Sequence, residues 1–175
     1  MGHNATAPTL QERWAEIKDF PGYLVSDWGR VMNADTGRYL ALSTKPNGLV
    51  MVGLMCNRGQ AKRSLTLLVA NAFVPRPNND EFDTPINLDG DRTNNHYDNL
   101  MWRPLWFARQ YMRQFDNNHT TYDAPIEDVE THQLYANSIS AAIHNGLLDH
   151  EICLSMLNNS YVWPTGQIFR KAVTR

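Results

Sequence analysis

Residues 67–102 read LLVANAFVPRPNNDEFDTPINLDGDRTNNHYDNLMW, and this stretch decides the fold. Leu67–Phe73 is compact and apolar, as expected of a short buried helix. Pro75-Arg76-Pro77-Asn78-Asn79-Asp80 is a breaker cluster that ends it and opens a new module. Pro85–Leu88 is the size of a short strand, DGDRTNN (Asp89–Asn95) is a tight polar loop, and Asn99–Arg103 returns as a second strand. Pro104 pre-sets a helix start, and Leu105–Phe115 continues it. On that helix Leu105, Ala108, Met112 and Phe115 are expected to share one face, with Arg109 and Arg113 a turn apart on a neighbouring one. The unit is strand, loop, strand and basic helix.

Upstream, WAEIKDFPGYLVSDWGRVMNADTGRYL alternates short apolar runs with turn residues, which places strands at Tyr23–Ser26, Arg30–Asn33 and Tyr39–Leu42. Gly48–Cys56 and Ala61–Thr66 form a further hairpin, with Gly59 in the turn at a positive φ. Downstream, Asp116–Asp123 reads as a polar linker. Ser138–Asn145 and His150–Asn158 read as two short helices around Gly146-Leu147, at helix-turn-helix spacing, and Val162–Arg170 as a closing hairpin. The expected architecture is therefore α+β in three modules: β-rich over 10–74, the central unit over 75–115, and linker plus helices over 116–175.

Composition sets the outer limits. The 175 residues are 42% hydrophobic and 19% charged, enough apolar matter for a core. The longest apolar runs fall well short of the roughly 18 residues a membrane span needs, so no membrane partner is expected. The N-terminus lacks the pattern of a secretory signal. Cys56 and Cys153 lie too far apart for a metal knuckle and fit a reducing compartment, which points to the cytoplasm. The net charge of −2 conceals an asymmetry. From Arg13 to Arg113, 13 Lys and Arg face 10 Asp and Glu; from Gln114 onward, 3 face 7. All seven of those acids fall between Asp116 and Glu151, a segment with no Lys or Arg, and a protein partner of that acidic region is one expectation.

Two stretches together are similar to a known family. Trp14, Ile17, Gly22-Tyr23, Val25-Ser26 and Gly29-Arg30-Val31 resemble the DNA-contacting module beside nuclease domains of phage and intron homing endonucleases. LLVANAF, NLDGDRTNN and Asn99-Leu100-Met101-Trp102 resemble the HNH core of the same enzymes. The resemblance implies a ββα-metal core acting on double-stranded DNA with Mg²⁺ or Mn²⁺, a helix-turn-helix C-terminus, and a phage-encoded protein of the bacterial cytoplasm. In such a core a histidine takes a proton from water, while a carboxylate and a helix Asn or His hold the cation.

Carried over residue by residue, the scaffold is kept and the chemistry is not. Asn99 occupies the middle-asparagine position. Asn87 stands where the general-base histidine is expected, Ile86 where the neighbouring ligand is, Ala108 where the helix ligand is, and Thr66 where a histidine is common. Asparagine cannot take up a proton at neutral pH, and Ile and Ala offer a cation no lone pair. The resemblance thus implies a DNA binder with lost or strongly impaired cleavage and no resident metal. The alternatives are an active nicking enzyme rebuilt around His96 and the loop aspartates, or a regulator that binds protein through its acidic third. Asp89, Asp91 and Asp98 are read as turn-stabilising residues. Candidate DNA contacts are Arg58, Lys62 and Arg63 at a hairpin tip that resembles a groove-reading ribbon, with Arg30, Lys45, Arg103, Arg109 and Arg113 as phosphate contacts.

Overall fold

The computed structural model describes residues 11–57, 59–116 and 120–173. The chain folds as two compact units. One takes the chain up to Pro75 together with Arg92–Leu100; the other takes Arg76–Asp91 together with the chain from Met101 onward.

In the first unit β1 (Trp14–Glu16), β2 (Tyr23–Ser26) and β3 (Val31–Asn33) form an antiparallel meander. The strand expected at Tyr39–Leu42 divides into a single bridge from Tyr39 to Met32 and β4 (Leu42–Thr44). β4 pairs with β5 (Val50–Cys56), which pairs with β6 (Gly59–Ser64). Gly59 has φ 108°, as its place in the turn required. Period-two alternation buries Val50, Val52 and Leu54. Against them packs α1 (Leu65–Phe73), with Leu65, Val69 and Ala70 inward. The segment 92–100 is tied to the first sheet. Tyr97 N–H donates to the Asp27 carbonyl (2.8 Å), and Gly29 allows close approach: at φ 80° a Cβ there would stand 3.1 Å from the Asn95 Cβ.

In the second unit β7 (Thr84–Asn87) and β8 (Leu100–Arg103) make a two-stranded sheet, and α2 (Leu105–Arg113) packs on β7. The inward face of α2 keeps Ala108, Met112 and Phe115 of the expected stripe, loses Leu105, and adds Phe107 and Tyr111. Leu105 is half exposed, and Phe107, Ala108 and Tyr111 are buried, with Met112 and Phe115 at the margin. Spacings of three and four fit either stripe; the rings of Phe107 and Tyr111 bury more area than Leu105 and rotate the buried stripe toward themselves. The Tyr111 hydroxyl is anchored on the Leu88 carbonyl (2.7 Å). Gly90 is required by the same packing, because a Cβ there would meet the Phe115 ring at 2.5 Å.

The rest of the unit contains a sheet that the sequence pattern did not reveal: β9 (Ile126–Asp128) between β10 (Leu134–Tyr135) and β11 (Phe169–Lys171), both antiparallel to it. Val162–Arg170 accordingly does not close as a hairpin of its own. Val162 bridges Gln167, and the following strand joins β9. Ala172 N–H, at the far end of that strand, returns to the Pro125 carbonyl. Helix α3 (Ser138–Asn145) has the expected bounds and a reciprocal Asn137–Ser140 cap, and α4 (Asp149–Asn158) packs against it. Ile126, Tyr135, Ala141, Ala142, Leu147, Ile152, Val162 and Phe169 form their core.

Candidate nuclease centre and nucleic-acid interface

The positions that the resemblance assigns to cation ligands meet inside the second unit. Ile86 comes from β7 and Ala108 from α2, and both lie in one apolar cluster with Phe107, Tyr111 and Leu148. Ile86 is 1% exposed and Ala108 6%. Asn87 follows at the strand end, also buried, and its carbonyl accepts from Gly90 N–H (3.0 Å). Burial follows from chemistry: β7 sets Ile86 toward α2 because it is hydrocarbon, and α2 approaches closely because residue 108 has only a methyl group. A hydrocarbon pair flanked by an amide does not fit a divalent cation. Among the described residues no three His, Cys, Asp or Glu side chains gather at metal-binding distance.

In the first unit Asn99 is tied to the loop that precedes it. Its Nδ2 donates to the Asn94 carbonyl (2.9 Å) and braces the loop. Thr66 Oγ1 donates to Asn95 Oδ1 (2.6 Å) in a buried contact, so the threonine serves loop structure. His96 caps the helical turn Tyr97–Asn99, and its Nδ1 accepts the Asp98 N–H (3.4 Å). In the second unit Asp89 Oδ1 accepts the Asp91 N–H (2.9 Å), the turn-stabilising contact expected of it.

The cations separate into three kinds. Arg103 is a correction: it is buried, donates to the carbonyls of Gly146 (3.1 Å), Asn145 (3.0 Å) and Trp102 (2.9 Å), and lies over the Phe107 ring. Burial pushes its pKa down to about 10. It satisfies the C-terminal carbonyls of α3 and offers no phosphate a surface. Lys62 and Arg63 do not act together either. Lys62 stands opposite Gly53 on the outer face of the sheet, whereas Arg63 stands opposite Val52 on the inner side and lies over the Phe20 ring (4.8 Å). Arg58 lies outside the described residues. Lys62 and Arg63 are both exposed, as are Lys45 before the β4–β5 turn and Arg109 and Arg113 on α2, which form the third kind. Arg109 borders a shallow groove with Glu81, Asp83, Leu105 and Trp106. Arg113, in the last turn of α2, also favours the helix dipole.

Arg30 has surroundings that its place in the sequence did not reveal. Its guanidinium is paired with Glu12 and ringed by Trp14, Trp28 and Tyr39. Arg76, over the Trp102 ring at 4.4 Å, was also missed; its place in Pro75-Arg76-Pro77 was its signal.

The acidic region is less bare than its composition implies. Glu127 is paired with Arg170 and His132, and these hold its carboxyl down at about 2. Buried Asp128 accepts from Gln167 and from the Glu130 and Thr131 amides. Asp149, buried in the first turn of α4, accepts from Thr121, and Asp123 accepts from Asn137. Of these four only Glu127 has a cationic partner; the others are held by neutral donors, and Asp149 Oδ1 is buried without one.

Residues 12–55 match the NUMOD4 motif. Two proteins of Acanthamoeba polyphaga mimivirus, each described as an uncharacterized HNH endonuclease, are similar in sequence. One, L245, is 30% identical over 80 residues, covering 46% of this chain and 24% of the relative. The other, L247, is 26% identical over 111 residues, covering 63% and 28%. The chain thus spans about a quarter of the length of these relatives. In fold it resembles the HNH homing endonuclease I-HmuI, solved in a study of DNA binding and cleavage, with TM-score 0.51 and 20% identity over 93% of this chain and 99% of that one. No helix among the described residues is long and apolar enough to cross a membrane.

Proposed function

We propose that this chain, a relative of the HNH homing endonucleases, binds double-stranded DNA and has lost efficient cleavage. The observation that carries the reading is the packing of Ile86 and Ala108 into one apolar cluster beside Asn87. β7, β8 and α2 supply the strands and helix of a ββα core, and three of its working positions cannot bind a cation or move a proton. Binding needs only distributed positive charge, and the first unit keeps it. The outer face of β4–β5–β6 carries Ser43, Met51, Gln60 and Lys62, an exposed ribbon of the kind that enters a groove. Helices α3 and α4 stand in the place of a helix-turn-helix.

Gel shift on random duplex with and without Mg²⁺ or Mn²⁺, beside a supercoiled-plasmid nicking assay, tests this directly. Binding without nicking is the expected result. Metal-dependent nicking by the natural chain that vanishes in His96→Ala would establish the rebuilt enzyme instead. Absence of both would leave the acidic region Asp116 to Glu151 and a protein partner as the reading to pursue.

A further inference from the structure

We infer that Arg30, anchored by Glu12 and framed by Trp14, Trp28 and Tyr39, is a preorganised site for one backbone phosphate of duplex DNA. The inference rests on the DNA-binding reading and names a site within it. Arg30 Nε donates to Glu12 Oε1 (2.8 Å), and Nη2 pairs with Oε2. The guanidinium carbon lies 5.8 Å from the Trp14 ring centre, 5.9 Å from Trp28 and 5.1 Å from Tyr39. The two partners differ in depth. The Glu12 side chain is 10% exposed and the Arg30 side chain 47%. The carboxylate therefore holds the inner edge of the fork, and the donors it leaves unused belong to the half of the side chain that water reaches.

A planar fork with a fixed inner edge presents its outer edge in one orientation, which suits the two oxygens of a phosphodiester. The rings restrict it further, since a cation over an aromatic face is held electrostatically. Trp28 and Tyr39, 47% and 57% exposed, flank the site with ring surface that a sugar can cover. Lys45 and Lys62 are also exposed in this unit, but neither has an ion-pair partner among the described residues. Arg30 alone of the three is placed before DNA arrives, so its ordering cost is met in folding.

Glu12 is then a positioning residue, and its sign separates this inference from simple electrostatics. Removing a carboxylate from a DNA-binding face should tighten binding if the carboxylate only repels phosphate. If it orients Arg30, Glu12→Gln should weaken binding instead. The measurement is fluorescence anisotropy of the full chain with a labelled random duplex between about 50 and 200 mM salt, with each variant's melting curve recorded. Arg30→Ala is expected to lower the magnitude of the slope of log K against log salt by about 0.9, so that it loses about threefold less affinity across that range. Glu12→Gln is expected to bind severalfold more weakly with the slope little changed. Arg30→Lys keeps the charge without the fork and should also bind more weakly at an undiminished slope. An unchanged slope in Arg30→Ala, or tighter binding by Glu12→Gln, overturns the site. Should Arg30→Ala fail to fold, full affinity in Arg30→Lys overturns it equally. No salt-dependent binding by the natural chain would remove the DNA reading and this site with it, a result distinguishable from binding that ignores Arg30.

Discussion

The outer face of β4–β5–β6 and the packed faces of β7 and α2 differ in what they ask of their residues. The first keeps exposed, loosely specified polar and cationic residues on a sheet whose other face is core. The second has its specified positions filled with hydrocarbon and closed to water. Binding to a phosphate backbone is a sum over many weak contacts, and drift at one leaves most of it intact. Proton transfer and cation binding depend on a few atoms in fixed geometry, and losing any one removes most of the rate. A scaffold can therefore retain the first property long after the second has gone.

The largest effect should come from restoring the missing groups. Asn87→His, Ile86→Asp and Ala108→Asn together are expected to give metal-dependent nicking of supercoiled DNA where the natural chain gives none, since general-base assistance alone is worth about 10²–10⁴-fold. The carboxylate enters a closed apolar cluster, so this variant should melt lower without cation and recover when Mn²⁺ is added. A natural chain that nicks as fast as the repaired one would erase the contrast between the two regions.

Next is Arg103, whose removal tests whether a cation beside α2 belongs to fold or to interface. Arg103→Met leaves the carbonyls of Asn145 and Gly146 without their donors and should destabilise by on the order of 3 kcal/mol in urea denaturation. The DNA affinity of the folded fraction should not change. Lost affinity at unchanged stability would return Arg103 to the interface.

Smaller, and aimed at the sheet itself, is the contrast between neighbours. Lys62→Ala should flatten the salt dependence of DNA binding by about one phosphate's worth, whereas Arg63→Ala should leave the slope and lower the melting temperature, because Arg63 covers Phe20 on the inner side. Equal slopes for the two variants would mean that both faces meet DNA.

The smallest effect concerns the acidic region. Arg170, then His132, hold Glu127 at about 2 against an ordinary 4.5. A folded value below the unfolded one gives stability that is complete above about pH 4.5 and lost as pH falls toward 2. Melting temperature should therefore decline over that window, and Glu127→Gln should flatten the decline. An identical profile in the variant would place these charges outside the fold's stability.

Much of this was legible in one dimension. The turn glycine Gly59, the bounds of α3 and the positions of the two β–loop–β strands follow from residue types whose backbone preferences are local. Ile86, Asn87 and Ala108 could be singled out because the family resemblance assigns roles to those positions. The β9–β10–β11 sheet was not legible: its strands are two or three residues long, and its last member arrives from more than thirty residues away.

What the sequence determined by itself was local turns, the bounds of α3 and the absence of ionisable side chains at positions 86, 87 and 108, because these depend on residue identity and short-range geometry. The tertiary structure alone decided which cations are available. Arg103 and Arg30 look alike in the chain, yet one is spent on α3 carbonyls and the other is held half exposed among three rings. It likewise decided which face of α2 is buried and which acids are compensated, with Arg170 reaching Glu127 across 43 positions. A cation is available only where folding leaves some of its donors in water, and its partners come from sequence distances that no local pattern encodes.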